Sequence, residues 1–268
     1  MEAETSALER ALHLERAGEA RFSLRVEDGW QQGRGAFGGV VLGVLLRAVE
    51  ASEPDAERRL RSLTGEIVAP VLVGEAEVFI EAVRIGKGVS TWGATLRQGV
   101  AIAARASVVL GRHRHDDHHW APEPPQMGTA WQDEPSFPVD APGPTFAQHF
   151  ERWNVGPLPF SGNTDPEARG WIRPRAARVN WDAATVLATA DAWWPASLAL
   201  EPAPRPVATV AFTLQLFSPD PPPAPDVPLY YRARGLAAEH GFEMETRELW
   251  TPAGGLVALN QQTFVWIK

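Results

Sequence analysis

Two adjacent glycines, Gly38 and Gly39, stand where an apolar helix is predicted to begin, and such a position can do chemistry. Apolar residues recur at helical spacing over residues 40–49, with too few polar residues for an exposed face. The first turn of a helix has unpaired backbone N–H groups at the positive end of the helix dipole, so it can polarise a carbonyl oxygen or bind an anion. The alternative is structural, with glycines that only allow a tight turn into the helix.

A second candidate is Asp191, which stands between Ala190 and Ala192 in another apolar helix, predicted over residues 182–194 with Asp182 as its N-cap. A carboxylate in such a helix is expected to be either paired or functional, because ionised side chains are rarely buried alone. Because a carboxylate can accept a proton from water, Asp191 is a candidate general base.

Histidines cluster in the sequence RHRHDDHH, at His113, His115, His118 and His119. Imidazoles bind metals, but spacing specifies no partner elsewhere, and the tract lies in a predicted loop. We therefore predict a solvated linker, with a metal site as the weaker alternative, and no cofactor. The chain has no cysteine, which excludes disulfides, thiolate nucleophiles and cysteine metal ligands.

The composition restricts partners and location. The chain has 268 residues and a net charge of −8 without a basic stripe, so a nucleic-acid partner is not expected. No apolar stretch reaches the roughly 20 residues of a transmembrane helix, and the charged N-terminal sequence does not resemble a signal peptide. We predict a cytoplasmic protein without a membrane partner.

The elements that must position the candidate residues occur twice along the chain. In the first half, sequence patterns predict strands around one buried helix, at 21–26, 62–69, 75–84, 90–97 and 100–110. In the second half, they predict strands around a second helix, at 146–155, 168–173, 207–217, 229–236, 242–250 and 256–267.

An antiparallel sheet curved around one helix is the hotdog fold, so this repeat predicts an α+β double hotdog. It would contain two curved antiparallel β-sheets, each wrapped around a central helix. The predicted units are an N-terminal hotdog at 1–111, a proline- and histidine-rich linker at 112–144, and a C-terminal hotdog at 145–268.

Short motifs in this order resemble those of the TesB-like (type II) acyl-CoA thioesterases, a family of the double-hotdog superfamily. Those of the first half are FGGVV at 37–41, RIGKGVS at 84–90 and QG at 98–99. Those of the second half are TAD at 189–191, AT at 208–209, ELW at 248–250, GGLVA at 254–258 and Gln262. The resemblance spans about residues 20–268 without the linker. It implies hydrolysis of an acyl-CoA thioester to a free acid and CoA, within lipid metabolism.

The resemblance also implies the catalytic residues. In the family, an aspartate of the second helix, a hydroxyl residue of the next strand and a glutamine of the last strand hold an attacking water. These positions correspond to Asp191, Thr209 and Gln262 here. Thr213 shares a strand face with Thr209 and is an alternative. A hydroxyl and an amide each donate and accept, so they can fix one water, and no serine–histidine pair is needed.

Five residues are predicted to bind the substrate: Phe37, Gly38, Gly39, Trp193 and Trp194. The glycine pair would supply donors for the oxyanion, because it opens a helix.

The aromatic residues of that set, together with Trp30, would line an apolar acyl tunnel, and the alternative is that they are ordinary core residues.

Two departures from the family pattern leave a second function open. Val40 stands where the family often has glutamine, and the sequence VAF at 210–212 replaces the usual residues after the catalytic hydroxyl. The alternative is a non-catalytic protein that binds acyl-CoA or another apolar ligand on a degenerate double-hotdog scaffold. A hydratase is disfavoured, because neither helix contains histidine. Since hotdog sheets pair edge to edge, we expect a homo-oligomer, a dimer of double hotdogs.

Overall fold

The computed structural model describes residues 5–115, 118, 120–176 and 178–267, so His119 of the histidine cluster lies outside the described residues. The α-helices are α1 (Ala7–Ala11), α2 (Gly38–Glu50) and α3 (Ala183–Asp191). The strands are β1 (Glu15–Arg16), β2 (Arg21–Val26), β3 (Gln31–Gln32), β4 (Gly35–Ala36), β5 (Arg59–Ile67), β6 (Gly74–Ile85), β7 (Val89–Gln98), β8 (Ala101–Gly111), β9 (Phe150–Asn154), β10 (Glu167–Pro174), β11 (Val207–Leu216), β12 (Leu229–Glu239), β13 (Phe242–Trp250) and β14 (Leu256–Trp266). Short 3₁₀ helices lie at Trp131–Asp133, Thr145–His149 and Ala196–Ala199.

The two halves share one continuous antiparallel sheet of twelve strands, in the order β1-β2-β6-β7-β8-β5-β11-β14-β13-β12-β10-β9. The prediction of two separate curved sheets is therefore wrong, because strands of both halves belong to the same sheet. β5 and β11 pair directly, with Thr64 opposite Thr213 and Gly65 opposite Phe212. Each of these strands would otherwise expose an unpaired backbone edge, and their pairing satisfies both edges.

The helices α2 and α3 pack against each other and against the sheet, α2 on β5–β8 and α3 on β10, β13 and β14. Their close approach depends on glycine, because a Cβ built on Gly39 would lie 2.8 Å from Ala188 Cα. Gly39 therefore serves the contact between the helices as well as the turn into α2.

The two helices run antiparallel. Gly39 at the start of α2 lies beside Ala188 near the end of α3, whereas Arg47 near the end of α2 reaches Asp182 before α3 begins. Each end of the pair therefore joins the last turn of one helix to the first turn of the other. No helix in the part of the chain that the structure describes is long and apolar enough to cross a membrane.

Local structure differs from the sequence predictions at the end of the second helix and at the start of the strand that follows the linker, and other predicted strands differ at their ends by up to three residues. The second helix ends at Asp191 rather than at residue 194, because Pro195 disfavours helical backbone immediately before it. The strand predicted from residue 146 begins only at Phe150, because residues 145–149 form a 3₁₀ helix.

Asp182 is the N-cap of α3, as predicted, and its Oδ1 accepts from the Thr185 N–H at 2.9 Å. Its Oδ2 accepts from Arg47 Nη2 at 2.5 Å. Asp182→Ala should lower the free energy of unfolding by about 1–2 kcal/mol in urea titrations, because the cap is lost. Asp182→Asn keeps a capping oxygen and should recover most of that loss. Equal losses in both variants would contradict the assignment to the cap.

Candidate active site

Asp191 is the last residue of α3 and faces the first turn of α2. Its side chain is nearly inaccessible, since the residue is 6% exposed. A Cβ built on Gly38 would lie 2.9 Å from Asp191 Oδ2, and the Gly39 backbone N–H donates to the carboxylate. The sequence analysis predicted that the first turn of α2 binds an oxyanion. In the structure, one of its two glycine N–H groups, that of Gly39, already binds the Asp191 carboxylate.

Gln262 and Thr209 complete a chain of hydrogen bonds that starts at Asp191. Gln262 Nε2 donates to Asp191 Oδ1 at 2.8 Å, and Thr209 Oγ1 donates to Gln262 Oε1 at 3.1 Å. Gln262 is 1% exposed, whereas its neighbour Gln261 points to the exposed face. The structure thus brings together the three residues that the sequence proposed as catalytic.

Thr209 lies opposite Phe264 of β14, and a register shift immediately after it leaves Val210 as an extra residue of β11. Such bulges re-aim a side chain, and here the hydroxyl of Thr209 reaches Gln262. Thr213, the alternative, meets this cluster through its backbone carbonyl, which accepts from Asn260 Nδ2 at 2.5 Å. The hydroxyl next to the glutamine is therefore that of Thr209.

Asn260 fixes the second proton of the Gln262 amide and was missed by the sequence analysis. Gln262 Nε2 donates to Asn260 Oδ1 at 3.0 Å in addition to its bond with Asp191. Both amide N–H groups are then engaged, so Gln262 can meet a further partner only through Oε1. The amide therefore orients Asp191 directly.

A buried arginine lies beside Asp191 and was also missed. Arg247 is 1% exposed, and its Nη1 lies 3.4 Å from Asp191 Oδ1 and donates to the Ala190 carbonyl at 3.0 Å. Its Nε donates to Glu245 Oε1 at 2.5 Å, and Glu245 Oε2 accepts from the Ala196 N–H at 2.7 Å. One guanidinium is thus shared by two buried carboxylates.

The sequence contained a signal for this cluster. In β13, Glu243, Glu245 and Arg247 alternate with residues of the other face, and all three are buried. Three charged residues on the buried face of a single strand are uncommon, since ionised groups are rarely buried without partners. The alternation over residues 242–250 predicts a strand, but it does not tell which face of the strand is buried.

The electrostatics of the site are set by burial. Burial raises the pKa of Asp191, while the charge of Arg247 and hydrogen bonds from Gln262 and Gly39 act against that rise. Burial alone would lower the pKa of Arg247, but the charges of Glu245 and Asp191 raise it above its ordinary value. Tyr231 stays a neutral phenol, because burial raises its pKa well above the usual range. The two carboxylates are therefore the partners that keep Arg247 charged.

The aromatic residues proposed for an acyl tunnel are packed against other rings. Phe37 stacks on Phe146 with centroids 4.1 Å apart, and Trp30 stacks on His149 at 4.0 Å. A crevice beside Trp30 and the start of α2 has a volume of only about 10 Å³, which is room for one water molecule. Val40 lines this crevice, so the departure from glutamine leaves its wall apolar.

Trp193 and Trp194 follow Asp191 and pack tilted against each other, with centroids 4.9 Å apart. Trp193 also stacks on Tyr231 at 5.0 Å. Both indole Nε1 atoms and the Tyr231 hydroxyl are buried without a hydrogen-bond partner among the described residues. Buried donors of this kind are normally satisfied by water or ligand, so this aromatic group is the side of the site that suits a substrate.

Among the residues that the structure describes, no group of three or more histidine, aspartate or glutamate side chains is arranged to hold a metal ion. Because His119 lies outside the described residues, the solvated linker at the histidine cluster stays a prediction.

Glu243 gives a test of the buried charges that needs no substrate. It is 3% exposed, and the hydroxyl of Ser197 is near enough to lower its pKa but forms no hydrogen bond of good geometry with its carboxyl oxygens. Burial raises its pKa to about 7, so the folded protein loses stability as the pH rises from about 4.5 through 7. Glu243→Gln should therefore gain about 1–3 kcal/mol over the parent protein at pH 8.5 and little at pH 5, measured by urea unfolding. Glu75→Gln, at an exposed ion pair, is the control. A gain independent of pH would refute this account.

Comparison with family models finds two consecutive matches. A model described as "Acyl-CoA thioesterase N-terminal domain" matches residues 26–111, and one described as "Acyl-CoA thioesterase C-terminal domain" matches residues 118–266. No curated protein sequence matches the chain.

Solved structures resemble the chain over nearly its whole length. A conserved protein of unknown function with a hotdog fold from Alicyclobacillus acidocaldarius has a TM-score of 0.88 at 23% identity, covering 98% of this chain and 99% of that one. A putative thioesterase II from Thermobifida fusca has a TM-score of 0.85 at 22% identity, covering 99% of both. An acyl-CoA thioesterase II, TesB2, from Mycobacterium marinum has a TM-score of 0.74 at 18% identity, covering 97% and 98%. At these identities the structures establish the α+β hotdog fold alone.

Proposed function

Because the chain belongs to the acyl-CoA thioesterase family, we propose that it hydrolyses an acyl-CoA thioester to a free acid and CoA by attack of water. The membership agrees with the resemblance predicted from the sequence motifs. The observation that supports the proposed site is the hydrogen bond of 2.8 Å between Gln262 Nε2 and Asp191 Oδ1, in a cluster that Thr209 extends.

In the proposed mechanism, Asp191 removes a proton from water as the water oxygen attacks the thioester carbonyl. The tetrahedral intermediate then expels the CoA thiolate as the C–S bond breaks, and the thiolate takes the proton from Asp191. Asp191 Oδ1 is occupied by Gln262 and lies near Arg247, whereas Oδ2 faces the first turn of α2. Oδ2 is therefore the oxygen we assign to the water, with Thr209 Oγ1 as a second contact.

The oxyanion would be stabilised at the N-terminus of α2. The N-cap position, Phe37, provides no side-chain cap, so the first turn keeps its donor character. Since the Gly39 N–H is engaged by Asp191, we assign the Gly38 N–H as the direct donor, supported by the helix dipole. Trp193 and Trp194 are the proposed contacts of the acyl group.

The first test is Asp191→Asn, assayed by thiol release from short, medium and long acyl-CoAs. We expect kcat to fall at least about 100-fold, because the general base is lost while the amide keeps the shape of the side chain. Asp182→Asn, at the opposite end of the same helix, is the matched control and should retain activity. Full activity of Asp191→Asn would remove Asp191 from the mechanism.

The second test concerns Arg247, which we assign as a positioning residue for Asp191. Removing its charge should raise the pKa of Asp191 further, since burial would act with less opposition. The acidic limb of the kcat/KM profile should therefore move to higher pH, by roughly one unit.

The variant for that test is the double substitution Glu245→Gln, Arg247→Met, because Arg247→Met alone would strand a buried carboxylate. Arg247→Lys should return the limb toward its original position. A profile that does not move, with activity merely reduced, would assign Arg247 a structural role only.

The second candidate function is a non-catalytic binder of acyl-CoA or another apolar ligand. The apolar Val40 in the first turn of α2 favours this alternative, because it offers no polar group to a reacting water. It predicts binding of acyl-CoA without thiol release, whatever residue stands at position 191. The dimer of double hotdogs, the cytoplasmic location and the boundaries at residues 111 and 144 stay predictions. Sedimentation of the purified protein tests the first of these.

A further inference from the structure

A larger cavity lies at the opposite end of the helix pair from Asp191. Its volume is about 520 Å³, within the range of small-molecule sites. Glu50, the last residue of α2, and Ala183, the first residue of α3, both line it. Because α2 and α3 are antiparallel, this end is the counterpart of the Asp191 end, with an acidic last residue facing the first turn of the other helix.

The cavity has a largely apolar wall to which both halves of the chain contribute. Its apolar side chains come from β5, β8, β11 and β14, from α3 and the residue pair before it, and from the segment after β11; they include Leu60, Leu110, Trp181, Val186, Leu216 and Phe217. Burial of a short alkyl chain here would remove apolar surface from water on both partners.

Most charged side chains of the wall already have partners. Asp182 caps α3 and pairs with Arg47, and Glu53 accepts from Arg58 Nη1 at 2.8 Å. Asp55 lies 3.2 Å from Arg58 Nε and also accepts from an arginine of the segment after β8.

Glu50 is the exception. Its carboxyl group forms no hydrogen bond or ion pair with any residue that the structure describes. The nearby charges that act on its pKa are those of Arg47, Asp182 and Arg59. Burial raises the pKa of Glu50 to about 7. Arg59 is exposed and donates through Nη1 to the Arg58 carbonyl at 3.0 Å. The unsatisfied group of this cavity is therefore a carboxyl.

This end of the helix pair cannot repeat the chemistry of the other. The side chain of Asp182 occupies the first turn of α3, whereas α2 has no side-chain cap. The Asp182 carboxylate accepts from the Thr185 N–H and places a negative charge at this helix N-terminus, which disfavours an oxyanion there, so the cavity suits binding rather than hydrolysis.

We propose that this cavity binds a small apolar molecule with one cationic head group, of which a primary alkylamine is the simplest, with the ammonium paired to Glu50. Glu53, Asp55 and Asp182 are already paired with arginines, so the carboxylate left without an ion pair is that of Glu50, which disfavours an anionic head beside it. A neutral head would leave the half-buried Glu50 without an ionic partner. Trp181 adds an aromatic surface, which also attracts cations.

The experiment compares octylamine, octanol and octanoate by isothermal titration calorimetry at pH 8. We expect octylamine to bind at least about tenfold more tightly than octanol, and octanoate more weakly than either. Glu50→Gln should remove the preference for the amine. Ser218→Trp, at an exposed position of the wall, should fill the cavity and weaken all binding. Asp191→Asn should bind octylamine like the parent protein.

Several results would overturn the proposal. Tighter binding of octanoate would assign the site to anions, and a preference for the amine that survives Glu50→Gln would exclude Glu50 as the partner. Loss of amine binding in Asp191→Asn with retention in Ser218→Trp would place the ligand at the other end of the helices. No heat with any of the probes would exclude an apolar binding site here. Circular dichroism of each variant establishes that the fold is retained.

Discussion

The contact between the two central helices is the constraint on which the site depends. Gly39 lets α2 approach α3 so closely that any side chain at this position would collide with Ala188. The same approach places the carboxylate of Asp191 against the first turn of α2. A helix from one half and a helix from the other thus share one site, and neither half contains it alone.

The low dielectric of this contact makes ionic partners necessary. A buried aspartate without compensation would be protonated and could not act as a base. Arg247 supplies the positive charge, and its guanidinium is shared between Asp191 and Glu245. Gln262, held in turn by Asn260 and Thr209, fixes the orientation of the carboxylate. The cluster as a whole, rather than a single residue, keeps Asp191 oriented.

The two ends of the helix pair have the same arrangement of an acidic last residue beside a helix N-terminus, but they differ in the polar partners of that residue. At one end an uncapped helix N-terminus meets Asp191, which is surrounded by partners. At the other end Asp182 caps the helix, and Glu50 faces a cavity without a partner. The two ends differ in the N-cap residue, Phe37 against Asp182, because the Asp182 carboxylate occupies one amide of the first turn and brings a negative charge that an oxyanion would meet.

By itself, the sequence determined the repeated strand and helix pattern, the family, the N-cap at Asp182 and the candidates Asp191, Thr209 and Gln262, because periodicity and local motifs are properties of neighbouring residues. Only the tertiary structure decided that β5 and β11 join the halves into one sheet, that Arg247 and Glu245 accompany Asp191, and that Glu50 faces a cavity. These facts depend on residues far apart in the chain, and alternation along a strand does not reveal which face is buried or what lies against it.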